Sequence, residues 1–162
     1  MKGVIQMRVK LKVPFFRQEN WYTCGPACLR MLLAYFGIDI SEEELEKACG
    51  TTELGTTPTQ ISTGASKSGM DAMATKNANL ENLKRSLEEG SPIIVLIDPS
   101  YIYGGIAGFG HFIVVVGIEG DKMIYHDPDP DISEGEFRRC EVEKFIKAWS
   151  VFKNWMVLCK QR

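Results

Sequence analysis

The sequence predicts an α+β domain, with helices gathered in its first half and a sheet built by its second. Three observations carry that reading. Ala27 to Phe36 contains one charged residue, Arg30, and is followed by Gly37, the pattern of a buried helix and its stop signal. Pro92 to Asp98 and Phe112 to Ile118 are short, continuous apolar runs bounded by turn residues, as buried strands are. Glu119-Gly120-Asp121-Lys122 has turn chemistry, so the second of these runs should form a hairpin with Met123 to Asp127.

The remaining elements follow in order. From Val4 to Phe16, Met7, Val9, Leu11 and Val13 alternate with Arg8, Lys10 and Lys12, the period of a half-buried strand ending at Pro14. Cys24-Gly25-Pro26 opens the buried helix. Ser41 with Glu44 forms a capping-box pattern for a short acidic helix to about Cys49, and Thr57-Pro58 supplies an N-cap and a first-turn proline for another. Asn79 to Glu89 sets Leu80, Leu83 and Leu87 on one helical face and stops at Gly90. Gly104 to Gly110 is a glycine-rich loop, and Asp127-Pro128-Asp129-Pro130 breaks the chain into another. Val142, Phe145, Ile146 and Trp149 then share a helical face, and Phe152 to Cys159 reads as a closing strand. With no repeat or linker, the 162 residues are expected to form one domain over 1–162, its core between about 13 and 159.

Composition narrows the function. The formal charge of −2 gives no affinity for a polyanion, so nucleic acid is not an expected ligand. The longest apolar runs are too short to span a bilayer, and no apolar signal core follows Met1, so a cytoplasmic chain without a membrane span is expected. Five cysteines, an odd number without regular spacing, predict reduced thiols rather than a disulfide framework. Their scatter also predicts no metal site, and no other cofactor is expected.

Chemistry gathers where helix and sheet meet. Cys24 stands at the start of the buried helix, where unpaired amides and the helix dipole favour negative charge, the form in which a thiol attacks. His111 follows Gly108-Phe109-Gly110 directly and precedes a buried strand; the rim of a rigid element suits a base, and the glycines leave room for a substrate backbone. The hairpin brings Asp127 beside it as the acceptor that would orient the imidazole. His126 competes for the base role, but neighbours on a strand point to opposite faces, and Met123, Tyr125 and Asp127 leave His126 with Ile124 on the other side. Gln18, in a polar loop six residues before Cys24, is a candidate oxyanion donor together with the Cys24 backbone amide. Tyr101, Tyr103, Phe109 and Gly110 are candidates to line a substrate cleft, with covering the sheet as the alternative for the aromatics. Asp129 and Asp131 read as a solvated turn or as an attraction for a basic substrate side chain. Cys28 reads as core packing, with a redox couple to Cys24 as the alternative.

Gln18, then Cys24-Gly25-Pro26-Ala27-Cys28-Leu29, then Gly110-His111-Phe112-Ile113-Val114-Val115, then His126-Asp127-Pro128, in that order, resemble the bacteriocin-processing, double-glycine peptidases of the papain-like cysteine peptidase clan. The resemblance runs from about Val13 to Cys159. It implies a papain-like fold and a cysteine peptidase that works through a Cys24 thioester, with His111 as base, Asp127 as orienter and Gln18 as oxyanion donor. Cleavage after small residues such as Gly-Gly is implied as well. In the best-known members this domain precedes a membrane-spanning, ATP-binding transporter. This sequence carries neither, so a stand-alone form is expected, with a peptide or protein substrate and a separately encoded transporter as its candidate partner. Acyl transfer to an amine or thiol, and peptide binding without cleavage, are the alternatives open to the same residues.

Overall fold

The computed structural model describes residues 6–162, and its elements run β1 (Arg8–Lys10), α1 (Cys24–Tyr35), α2 (Glu42–Cys49), α3 (Pro58–Lys67), β2 (Met70–Thr75), α4 (Leu80–Glu88), β3 (Ile93–Ile97), α5 (Ser100–Tyr103), β4 (His111–Glu119), β5 (Lys122–His126), β6 (Arg138–Glu141), α6 (Val142–Ser150) and β7 (Met156–Gln161). The strands form one seven-stranded sheet in the order β2-β7-β3-β4-β5-β6, with β1 paired to β4. Every pairing is antiparallel.

Both faces of this sheet are covered, which is why β3 and β4 read as unbroken apolar runs. Ile94, Phe112, Val114, Val116 and Ile124 face one core with Cys28, Leu29, Met31, Leu32 and Leu33 of α1, Leu45 of α2 and Ile61 of α3. Ile93, Val95, Ile113, Val115, Met123 and Tyr125 face the other, with Leu83 and Leu87 of α4 and Phe145 and Trp149 of α6. The helix α1 thus lies across the sheet with its first residue at the end of β4 where His111 begins. Ser41 caps α2 through the Glu44 amide, and Thr57 and Asn79 head full capping boxes on α3 and α4.

The division into a helical first half and a sheet second half is incomplete. β2, from the first half, pairs along its whole length with β7. Its sequence, Met-Asp-Ala-Met-Ala-Thr, carries little apolar alternation, and Met73 is exposed, so the strand exists because β7 offers it a ladder. β6 is likewise polar, with only Cys140 buried, and is recruited by β5. The first strand is shorter than the alternation suggests. Its ladder ends at Lys10, and the amide of Val13 turns back to the carbonyl of Leu11; Val4 and Ile5 lie outside the described residues. β7 begins at Met156 rather than Phe152, because Lys153 and Asn154 take positive φ values of 66° and 52°, which a strand does not admit. Within the glycine-rich approach to His111, residues Ser100–Tyr103 wind into the short helix α5. Among the described residues no helix is long and apolar enough to cross a membrane.

Candidate active site

Cys24 is the first residue of α1 and is half-buried. The preceding Thr23 makes no side-chain cap, and no acidic residue stands in the first turn, so the positive end of the helix is left to whatever lies at Cys24. Gly25 is closely packed: a Cβ there would stand 3.1 Å from both Cβ and Oγ1 of Thr56. The hydroxyl of Thr23 is turned instead to the carbonyl of Asn20 (2.9 Å) and to Glu42 (3.1 Å), while the buried Glu42 carboxylate accepts the Glu19 amide at 3.0 and 3.1 Å. Burial raises Glu42 to about 7 against the lowering effect of the bonds from Glu19 and Thr23. Nothing in the sequence around Glu42 marks this role, which depends on α2 packing beside the loop.

His111 opens β4, opposite Ile97 of β3. Its Nε2 lies 2.7 Å from Asp127 Oδ1, and the Cys24 thiol is the other group that acts on the ring. Nε2 is taken by the carboxylate, which leaves Nδ1 as the nitrogen available to the sulfur. Burial pulls His111 down, but the bond to Asp127, the bond to Cys24 and the charges of both outweigh it and raise the imidazole to about 10. The hairpin supplies this contact. Val114 pairs with His126, and a bulge at Val115/Gly117 shifts the register, so Asp127 lies just past the ladder and within reach of His111.

Asp127 is fully buried. Burial pushes its carboxyl up, but the bond and charge of His111, the Asp129 amide at 3.0 Å and the Tyr103 hydroxyl at 2.7 Å together hold it below the ordinary carboxylate range. Its backbone amide donates to the Gly135 carbonyl at 2.8 Å, and a side chain at Gly135 would collide with the Asp127 carbonyl. The Asp129 and Asp131 amides bond back to the carboxylates two residues earlier, which is turn chemistry.

His126 leaves the strand on the opposite side. It is buried between the edges of Phe15 and Phe137, with Nε2 donating to the Val13 carbonyl (2.8 Å) and Nδ1 accepting the Phe137 amide (2.9 Å). Both ring nitrogens are committed to backbone, and burial lowers its pKa. His126 is a neutral structural brace.

Gln18 is joined to the site through its backbone, whose amide donates to the Pro128 carbonyl at 2.9 Å, while Nη1 of the neighbouring Arg17 donates to the carbonyls of Asp129 and Ile132, each at 2.6 Å. The Gln18 side-chain amide donates to the carbonyls of Asn20 (2.9 Å) and Trp21 (3.2 Å), and its buried Oε1 has no partner. Tyr101, Phe109 and Gly110 are exposed. Tyr103 is not; its hydroxyl faces inward to Asp127 and Tyr125. Gly110 has a packing reason that the room-for-substrate argument missed, since a Cβ there would stand 3.1 Å from Leu96 Cδ1. Asp98 also escaped notice, although Asp-Pro-Ser is a turn signal: its carboxylate holds the Ser100 amide and hydroxyl (3.0 and 2.7 Å) and the Gly108 amide (2.8 Å), pinning the loop that delivers His111.

All five cysteines are free. Burial pushes Cys28 well above the usual thiol range, and Cys49, Cys140 and Cys159 to about 11, 11 and 12. Cys28 packs in the core behind α1. Among the described residues no three His, Cys, Asp or Glu side chains gather as metal ligands.

A half-buried thiol at a helix N-terminus lies beside an imidazole that is bonded to a buried carboxylate, and the model of the Peptidase_C39 like family matches residues 10–157. The chain belongs to that family. It is accordingly a cysteine-type peptidase. Over 82% of its length it is 28% identical to the lactococcin-G-processing and transport ATP-binding protein of Lactococcus lactis subsp. lactis, of which it spans 17%. It is 30% identical, over 78% of its length, to the colicin V secretion/processing ATP-binding protein of Escherichia coli, spanning 16% of that protein. Among solved structures, the peptidase domain of Streptococcus ComA, a bifunctional ABC transporter involved in quorum sensing, superposes with a TM-score of 0.73 at 25% identity, covering 95% of this chain and 99% of that one. The α+β, papain-like architecture of this C39 chain is therefore that of peptidase domains which other proteins carry as one part of a transporter.

Proposed function

We propose that this chain cleaves a peptide bond through a thioester on Cys24, and that the Cys24–His111–Asp127 line is the arrangement that does it. The observation carrying this reading is the 2.7 Å bond between His111 Nε2 and Asp127, with the Cys24 thiol acting on the same ring. In this scheme the thiolate attacks the scissile carbonyl, His111 gives its proton to the departing amine, and the same imidazole later takes a proton from the water that hydrolyses the thioester. Asp127 keeps the ring in the tautomer and orientation that both steps need. The oxyanion is received by the Cys24 backbone amide and by Gln18, whose longer bond, 3.2 Å to the Trp21 carbonyl, is the one to be exchanged.

The substrate class follows from the relatives. They are named for the processing and transport of lactococcin G and for the secretion and processing of colicin V, and a structure of the same fold is named a double glycine motif protease in complex with a leader peptide, so the proposed substrate is a peptide cut after small residues such as Gly-Gly, and the proposed partner a separately encoded transporter on the cytoplasmic side. The exposed Trp21, three residues before Cys24, and Phe109, two before His111, are placed to meet a peptide from either side. The test is a set of synthetic peptides with Gly-Gly or Val-Val before one candidate bond, incubated with the native chain and with Cys24→Ala and analysed by mass spectrometry. Cleavage after Gly-Gly alone, lost in the variant and yielding a hydroxamate when hydroxylamine is added, is expected. Cleavage that survives Cys24→Ala would overturn the proposal.

A further inference from the structure

The two oxygens of Asp127 are held unequally. Oδ1 accepts from His111 and from the Asp129 amide, whereas Oδ2 accepts from the Tyr103 hydroxyl alone, at 2.7 Å. The Tyr103 oxygen lies in turn 2.8 Å from the hydroxyl of Tyr125, a fully buried residue of β5. A phenol has one proton, and an ionised carboxylate only accepts, so the proton of Tyr103 goes to Asp127 and Tyr125 must donate to Tyr103. Arg138, the cross-strand partner of Tyr125, holds its guanidinium 5.2 Å from the centre of the Tyr103 ring. Both donors in this line have one direction, from Tyr125 through Tyr103 to Asp127.

We propose that Tyr103 is a positioning residue for the peptidase reaction: its hydroxyl, oriented by Tyr125 beneath Arg138, fixes the second oxygen of Asp127 and through it the ring of His111. The inference rests on the reading of Cys24, His111 and Asp127 given above. A carboxylate that is fully buried has no water to replace a missing donor, and a polar atom left unpaired in such a place disfavours the charged form. Without the Tyr103 hydroxyl, Oδ2 is that atom. The Asp127 carboxylate is then free to turn or to share its charge less fully with His111. Phenylalanine at position 103 keeps the ring under Arg138 and removes only the donor, so packing and orientation separate.

Because the chain holds only two histidines, His111 and His126, ¹⁵N-histidine NMR follows each imidazole through a pH titration, and iodoacetamide supplies an independent probe of Cys24 at pH 6. In Tyr103→Phe the His111 midpoint should fall by about one pH unit while His126 stays in place, and Cys24 alkylation should slow by about tenfold. Tyr125→Phe leaves the Tyr103 proton on Asp127 but removes its orienting donor, so the same shifts should appear at roughly a third of that size in rate. A Tyr103→Phe protein that melts earlier yet keeps the His111 midpoint and the Cys24 rate overturns the proposal and makes Tyr103 a packing residue. Should Tyr103→Phe fail to fold, unchanged values in Tyr125→Phe overturn it equally. Asp127→Asn separates the two levels of the argument: if it too leaves a folded protein with an unmoved His111 and an unslowed Cys24, the site reading itself falls, whereas a strong effect there with none in the tyrosine variants removes only the positioning role.

Discussion

Replacing His111 with alanine should erase a pH dependence of folding stability that the native chain carries above about pH 8.5. The ordinary imidazole value is 6.5 and the folded value is about 10. Between these two the folded state holds a proton that the unfolded state has lost, so stability falls as pH rises: the contribution is fully present below 6.5 and gone above 10. Below about pH 8.5 this proton is matched by the one that the unfolded Cys24 thiol holds and the folded thiolate of the pair does not, so the net loss falls between about 8.5 and 10; at about 1.4 kcal/mol per pH unit, the native chain should lose about 2 kcal/mol there that the variant does not lose. Glu42 has the same sign in a lower window, its contribution disappearing between 4.5 and about 7, and the buried thiols act with the same sign above about 8.5. Both are shared by native and variant chains and cancel in the difference. Urea unfolding followed by far-ultraviolet circular dichroism at half-unit steps provides the comparison. Parallel stability profiles from about pH 8.5 to 10 would refute the claim that Asp127 and Cys24 hold His111 as an imidazolium.

The brace role of His126 makes a contrasting prediction: His126→Ala leaves the Val13 carbonyl and Phe137 amide unpaired and opens a cavity, costing about 2–4 kcal/mol in denaturant unfolding, while Cys24 alkylation in the folded variant keeps its native rate. Gly64→Ala should lower stability by about 1–3 kcal/mol, because its Cβ collides with Cys49 Sγ and comes 3.3 Å from the Cys49 amide nitrogen at the α2–α3 contact. Adding Cys49→Ala should recover part of that loss in thermal melts, since the sulfur is one of the two obstacles.

Particular residues show how far the sequence reaches. A helix with Arg30 as its only charge from Ala27 onward could be nothing but buried, and β3 and β4 could be nothing but central, so the scaffold of the site is legible in apolar runs alone. The hairpin logic brings Asp127 to His111, and strand alternation turns His126 away, because both depend only on local periodicity. What stays hidden is decided by distant partners. β2 and β6 have little pattern of their own and form because β7 and β5 present free edges. Glu42, Tyr125 and Arg138 act through neighbours that no spacing announces. Tyr103 was legible as an aromatic near the site, but not as one whose hydroxyl turns inward.

Cys24 is half-buried while the other four thiols are buried, so a limiting amount of iodoacetamide at pH 6, followed by peptide mapping, tests the nucleophile assignment most directly. The arrangement predicts a single adduct, on Cys24, which disappears in His111→Ala. Alkylation spread over several cysteines, or arising only above about pH 8.5 as for an ordinary thiol, would contradict it.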